Sequence, residues 1–484
     1  MVGRATNNHI EEINGLLKHE DKICAFSFAN DILSVRYVGG VIHGCDDDVL
    51  TSENIITSKD VPHFYGITND TRQRIVFFIR GSRGVNFANN VNTYKYIVNS
   101  YILYEVGQDV LPISSIRFTG KEVDYFFPYG AGVYEFKENK LENIRFPANT
   151  KDITKSFSFK SDTTEFSCSL EIWQTTDSLK SIKGFPCFFI SFPASADFAF
   201  VESSYRLVRS FFQYICNRKN IYFDNIELYG IIENDKRTRV AKMCFPEDVY
   251  AKPEPDEVLK KTITYPYLES HIGEIFKALL EEIIPFYNIP LDSESRRIIN
   301  YEKFISNLSV FEWTYRLNFE DVISEKRKVA ITTVLADLQE MGTQKEYGGK
   351  KKEELNQITK YLTERLEQSN TSLSVKIKNS LDGTKEILEV FIKHIYSIND
   401  REFSENHHQV IADYVSQQRN DFAHGNFAKE YNYDALFDLM IIEWLNYSLL
   451  LRCIGYSDDE IFNIINCIFN RGFVPKETAK LETK

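Results

Sequence analysis

Proline nearly vanishes from the second half of this sequence. Twelve of its 13 prolines fall at or before Pro290, and the last is Pro475. So long a stretch without proline argues against a succession of turns. It suits long helices, whose interiors exclude a residue that lacks a backbone donor and clashes with the preceding turn. Paired cysteines are missing as well. The 8 cysteines (Cys24, Cys45, Cys168, Cys187, Cys216, Cys244, Cys453 and Cys467) lie far apart, with no C-x-x-C among them. That spacing argues against a disulfide framework and a zinc knuckle, and fits buried thiols in a reducing cytosol.

Other absences narrow the function. The first twenty residues, "MVGRATNNHIEEINGLLKHE", lack the apolar core of a signal peptide. The most apolar late run, "LMIIEWLNYSLLLRCIGY", carries Glu443, Asn446 and Arg452, so it reads as a buried helix, not a membrane span. A cytoplasmic protein without membrane contact is the expectation. There is no Walker-type loop, dinucleotide fingerprint or nucleophile elbow, and neither a cofactor nor a metal is expected. Positive charge is in deficit: the net charge is -12 and the pI near 5.4. Nucleic-acid contact would need a local basic cleft against that acidic background.

What is present falls into two regimes. With 484 residues the chain is too long for one hydrophobic core, and an apolar fraction of 43% is ample for folded domains. The front half alternates, as in "RIVFFIRGS", "FSCSLEIWQTT" and "FPCFFISFP", rich in β-branched and aromatic residues and punctuated by Gly, Asn, Asp and Pro. This predicts an α+β multidomain chain with a β-rich, sandwich-like region over 1–245, interrupted by one helix at "VESSYRLVRSFFQYICNRKN". The acidic, proline-rich 246–258 reads as a linker. Helical spacing then runs through 259–484, ending in a segment that opens with Ser457 and Glu460, a capping-box pair.

Arginine followed closely by histidine occurs at Arg4/His9, Arg36/His43, Arg401/His407, Arg401/His408 and Arg419/His424. Spacing alone does not discriminate among them; context does. Only Arg419/His424 sits late on a predicted helix with a long apolar helix after it. Five positions along an α-helix rotate roughly 500° and advance about 7.5 Å, leaving the two side chains about 140° apart. Gly425 should end the helix and let the His424 region turn inward. A two-fold partner would bring a second pair to the same groove.

The run "RNDFAHG" resembles the signature of the HEPN superfamily of helical ribonucleases, with Arg419, Asn420 and His424 matching residue by residue. The order of a β-rich front and a helical back is similar to the ApeA family of anti-phage defence proteins. The resemblance implies an all-α HEPN bundle and a metal-independent endoribonuclease that leaves a 2′,3′-cyclic phosphate. His424 would move protons, Arg419 would hold the scissile phosphate, and Asn420 would orient one or the other. It further implies an RNA substrate (tRNA among the candidates), a homodimer or higher homo-oligomer, and abortive infection set off by a phage-derived trigger through the N-terminal domain. The alternative is a non-catalytic binding protein whose helical half only dimerises it.

Three further features read as ordinary surface. His407 and His408 are adjacent, hence pointed to different faces, and read as a solvated pair, not a metal site. Lys350, Lys351 and Lys352 read as a solvated helix start, and Asp46, Asp47 and Asp48 as a polar turn.

Overall fold

The structure, a computed structural model, describes residues 12–19, 22–38, 63–88, 91–107, 112–128, 133–137, 140–145, 154–161, 163–177, 181–232, 236–246, 253–319, 325–343, 349–367, 372–425, 433–469 and 471–474. Asp46 to Asp48, His43 and the Arg4/His9 pair lie outside the described residues. The chain divides into two compact units, Met1–Ile284 with Ile289–Arg297, and Pro285–Asn288 with Ile298–Lys484.

Six antiparallel strands open the first unit: β1 (Ile13–His19), β2 (Lys22–Ala29), β3 (Ile32–Val38), β4 (His63–Thr68), β5 (Arg74–Ala88) and β6 (Val91–Tyr104). They pair in the ring β1-β2-β3-β6-β5-β4 and back to β1, so this part closes into a barrel. Asn30 and Asp31, both at positive φ, make the two-residue turn whose twist suits a β2–β3 hairpin. Strict alternation along β1 sends Ile13, Gly15, Leu17 and His19 inward. There Leu17 joins Phe26, Phe28, Leu33, Val35, Ile75 and Phe77 in a filled interior. Gly15 is required by closeness: a Cβ there would lie 2.1 Å from the Ile67 carbonyl oxygen and 2.6 Å from the Phe26 ring. The alternating pattern predicted a sandwich. It fixes which face is buried but not how the sheet closes, and the length of β5 and β6 decides that. β6 pairs with β3 over residues 91–97 and with another strand over residues 101–104.

That strand is β14 (Lys236–Cys244), which leads into an open antiparallel sheet. Its other members are β7 (Ile113–Thr119), β10 (Lys155–Lys160), β11 (Glu165–Asp177), β12 (Ser181–Ser195) and β13 (Asn225–Ile232), in the order β10-β11-β12-β7-β13-β14. Between β7 and β10, β8 (Val133–Lys137) and β9 (Lys140–Arg145) form a separate ladder. β7 is buried along its whole length. One of its faces carries Arg117, ion-paired to Glu227 and stacked 4.1 Å from the Trp173 ring. Phe118, on the other face, meets Phe188, Tyr205 and Phe223. Tyr205 belongs to α2 (Phe198–Cys216), the predicted interrupting helix, which follows the short α1 (Lys121–Phe126). Asp197 caps α2 by accepting from the Ala199 backbone N–H, and Asn217 closes it in the left-handed region.

The proline-rich stretch is not the boundary between the units. Three short helices after it, α3 (Asp256–Leu259), α4 (Tyr265–Leu268) and α5 (Ile272–Leu280), belong to the β-rich unit, which continues to Ile284 and includes Ile289–Arg297. Glu254 is buried and accepts hydrogen bonds from Asn220 Nδ2 at 2.8 Å and Ser293 Oγ at 2.7 Å, so this end of the stretch is tied down. Phe276 of α5 stacks on Phe211 at 4.5 Å and Phe159 at 4.8 Å. Composition marked the prolines; the aromatic contacts of Phe276 that carry α5 into the first core are invisible in a linear pattern.

The second unit is helical: α6 (Tyr301–Asn318), α7 (Glu325–Thr343), α8 (Lys350–Glu367), α9 (Leu373–Gly383), α10 (Lys385–Ile398), α11 (His407–Ala423), α12 (Tyr433–Ile454) and α13 (Asp458–Ile468). α12 is buried on nearly every side between Ile441 and Leu451, as its apolar sequence requires, and packs against α6, α10, α11 and α13. α7 and α8 pack on each other. Lys350, Lys351 and Lys352 open α8 and are exposed, as expected of a solvated helix start. The Ser457/Glu460 capping box is formed at the start of α13. Among the described residues, no helix is long and apolar enough to cross a membrane.

Phe276 tests the new boundary. It is fully buried, so Phe276→Ala should destabilise the β-rich unit by about 3–5 kcal/mol. Thermal or urea unfolding of that unit reads this directly, and an unchanged midpoint would return residues 259–284 to the helical half.

Candidate functional site

α11 carries the candidate residues because one side of it is anchored. Ile411, Val415, Gln418 and Phe422 recur at spacings of four, three and four, and all are buried. This stripe faces α6, α9 and α12, and the Phe422 ring meets Phe304 of α6 at 5.5 Å, edge to face. Arg419 flanks the stripe and is half-buried, while Asn420 and His424 are exposed.

The helix ends where the sequence predicted. His424 is the C-cap, its backbone N–H donating to the Asn420 carbonyl at 3.0 Å. Gly425 follows at φ 72, a left-handed conformation that glycine adopts without a Cβ clash. His424 itself does not turn inward. It stays exposed at the helix end, because the left-handed turn redirects only the chain that follows. Among the described residues, neither the Arg419 guanidinium nor the His424 imidazole has a hydrogen-bond or ion-pair partner. Arg419 therefore does not cap the helix-end carbonyls.

Arg401 contrasts with Arg419. Its Nη1 donates to Asp438 Oδ1 at 2.6 Å and its guanidinium lies 4.1 Å from the centre of the Tyr396 ring. Asp438 is wholly buried in α12. Burial pushes its carboxyl up to about 6, and the Arg401 guanidinium opposes the rise. Arg401 is thus a structural clamp between the loop before α11 and α12. Arg36 lies exposed on β3, a barrel strand in the other unit.

His407 and His408 overturn the reading of a solvated pair. Both are buried, and both converge on Glu389 of α10. Adjacent side chains on a helix diverge by about 100°, but these occupy its first two positions, where a side chain also reaches over the preceding loop. Burial pulls the His408 imidazole below its usual value, against the hydrogen bond that its Nδ1 donates to Asp382. A signal was available in the sequence. Extending the Ile411–Val415–Gln418–Phe422 stripe backwards by three and four positions lands on His408 and His407. Glu389, from a different helix, could not be found this way.

Removing Arg401 should leave a buried carboxylate without its counter-charge. Arg401→Ala is expected to cost about 3–5 kcal/mol in chemical unfolding, marking a structural residue. A near-neutral Arg401→Ala would mean that the pair contributes nothing to the bundle. Comparison of the chain with protein-family models, curated proteins and solved structures gives no match.

Proposed function

We propose that this chain is a metal-independent endoribonuclease of the HEPN kind, with Arg419, Asn420 and His424 as its catalytic residues. One observation carries the reading. Arg419 and His424 stand at the signature spacing, both off the buried stripe of an anchored helix, with no partner among the described residues. The competing Arg401 is committed to a buried carboxylate.

The chemistry needs only these groups. The RNA 2′-hydroxyl loses its proton to one His424 imidazole and its oxygen attacks the adjacent phosphorus. The bond from phosphorus to the 5′-oxygen breaks, and that oxygen takes a proton from a second imidazole. The products are a 2′,3′-cyclic phosphate and a 5′-hydroxyl. An imidazole exchanges protons near neutral pH, which suits both tasks. The Arg419 guanidinium offers two parallel donors to the phosphate as charge builds on its oxygens. Asn420 orients Arg419 or the phosphate.

One chain supplies one imidazole, and its Arg419 diverges from it by about 140° around the helix. Two copies of the chain, apposed through the α11 ends, supply two imidazoles and two guanidiniums to one phosphate. The role follows from the same resemblance: RNA (tRNA among the candidates) is cut to arrest growth during phage infection. In this reading the β-rich unit restrains the nuclease until a phage-derived trigger arrives, and the whole acts in the cytoplasm.

Titrating wild-type protein with Arg419→Ala tests the shared site. Activity should fall faster than the wild-type fraction, because mixed pairs carry a damaged site. His424→Ala should be inactive with an unchanged melting temperature, since its side chain is exposed. A strictly proportional fall would contradict the shared site, and a fully active His424→Ala protein would remove the nuclease assignment.

A further inference from the structure

The start of α11 holds a second arrangement, unrelated to the residues at its end. His407 Nδ1 lies 2.7 Å from the Ser404 carbonyl oxygen, and His408 Nδ1 lies 2.7 Å from Asp382 Oδ1 on α9. Both oxygens are acceptors, so each Nδ1 carries the ring proton. In the neutral ring that leaves a lone pair on each Nε2. The two Nε2 atoms face the same carboxylate oxygen, Glu389 Oε2, at 3.0 Å for His407 and 3.4 Å for His408. The other Glu389 oxygen, Oε1, lies 3.8 Å from Lys393 Nζ. His408 Nε2 is buried with no hydrogen-bond partner, on a residue only 6% exposed. His407 Nε2 is within hydrogen-bond distance of Glu389 Oε2, so a second ring proton can bridge that pair, while His408 Nε2 is left without a hydrogen bond; a cation at this point would replace the bridging proton and engage all three atoms.

We propose that Glu389, His407 and His408 bind a divalent first-row metal ion, with zinc the best fit. Their ligand atoms all lie within 4.8 Å of one another. A tetrahedral zinc ion with bonds of about 2.0–2.1 Å has ligand-to-ligand edges of about 3.3 Å, close to the two Glu389 distances. Two imidazoles and a carboxylate form a borderline donor set that suits zinc over magnesium or calcium, which favour oxygen-only shells. The outer contacts match as well. Histidines that ligate metals commonly donate the other ring N–H to a carboxylate or a backbone carbonyl, which fixes ring orientation and raises ligand basicity. Asp382 and Ser404 fill those two roles.

The ion would join α10 to the first turn of α11, with α9 holding one of the rings. It would sit about 25 Å along the helix axis from His424, taking 1.5 Å per residue. It is therefore a fastening site for the helix, separate from the phosphate chemistry at the other end. The proposal does not depend on the nuclease reading.

The test uses the full chain, stripped with EDTA, dialysed, and titrated with zinc in a calorimeter. Wild type should take up one equivalent at this site and melt at a higher temperature when loaded. Cobalt in its place should give the visible absorption of a tetrahedral nitrogen–oxygen site. Asp382→Ala should weaken binding about 10–100-fold, and loss of a direct ligand in His408→Ala should weaken it further. Glu389→Gln is near-isosteric and covers the case in which His408→Ala fails to fold. His424→Ala should bind as wild type does. No saturable uptake by wild type, or equal uptake by wild type and Glu389→Gln, would overturn the proposal.

Discussion

The buried stripe of α11 is the constraint on which the helical unit's chemistry depends. Ile411, Val415, Gln418 and Phe422 hold one side of the helix against α6, α9 and α12. Whatever that stripe leaves out is then aimed by helical geometry alone. At its start the stripe runs into His407 and His408, which are buried with it. At its end it stops at Phe422, and the next residues, from Ala423 to Gly425, are exposed. One helix therefore presents committed imidazoles at one end and an uncommitted one at the other.

Two arginines show how packing separates structural from available charge. Arg401 and Arg419 both precede a histidine at short spacing. Arg401 faces α12, where Asp438 sits without solvent, and a buried carboxylate left unpaired would be costly. The guanidinium is held there by need. Arg419 lies one position past the buried Gln418 and turns off the stripe. No such carboxylate claims it among the described residues, which leaves its donors for an anion from outside.

Much of the fold was legible from periodicity. The split into a β-rich front and a helical back, α2 as the interrupting helix, the capping box at Ser457 and the end of α11 at Gly425 all rest on local chemistry that sequence displays. The failures are all non-local. Barrel closure depends on β6 pairing with both β3 and β5 and on β4 returning to β1, and the unit boundary depends on Phe276 reaching Phe159 and Phe211. The Glu389 cluster joins residues of two helices. Of the candidate site, the residues and the helix end could be read directly. The direction of His424 could not, because it depends on which side of α11 the bundle covers.

The central claim is that Arg419 and His424 cut RNA without a metal ion. The most direct measurement is the chemistry of the RNA ends after incubation with purified protein in excess EDTA. Wild type should leave 2′,3′-cyclic phosphate and 5′-hydroxyl ends, and His424→Ala of equal fold should cleave nothing. Intact RNA with wild type, or cut RNA bearing 3′-hydroxyl and 5′-phosphate ends, would contradict that claim.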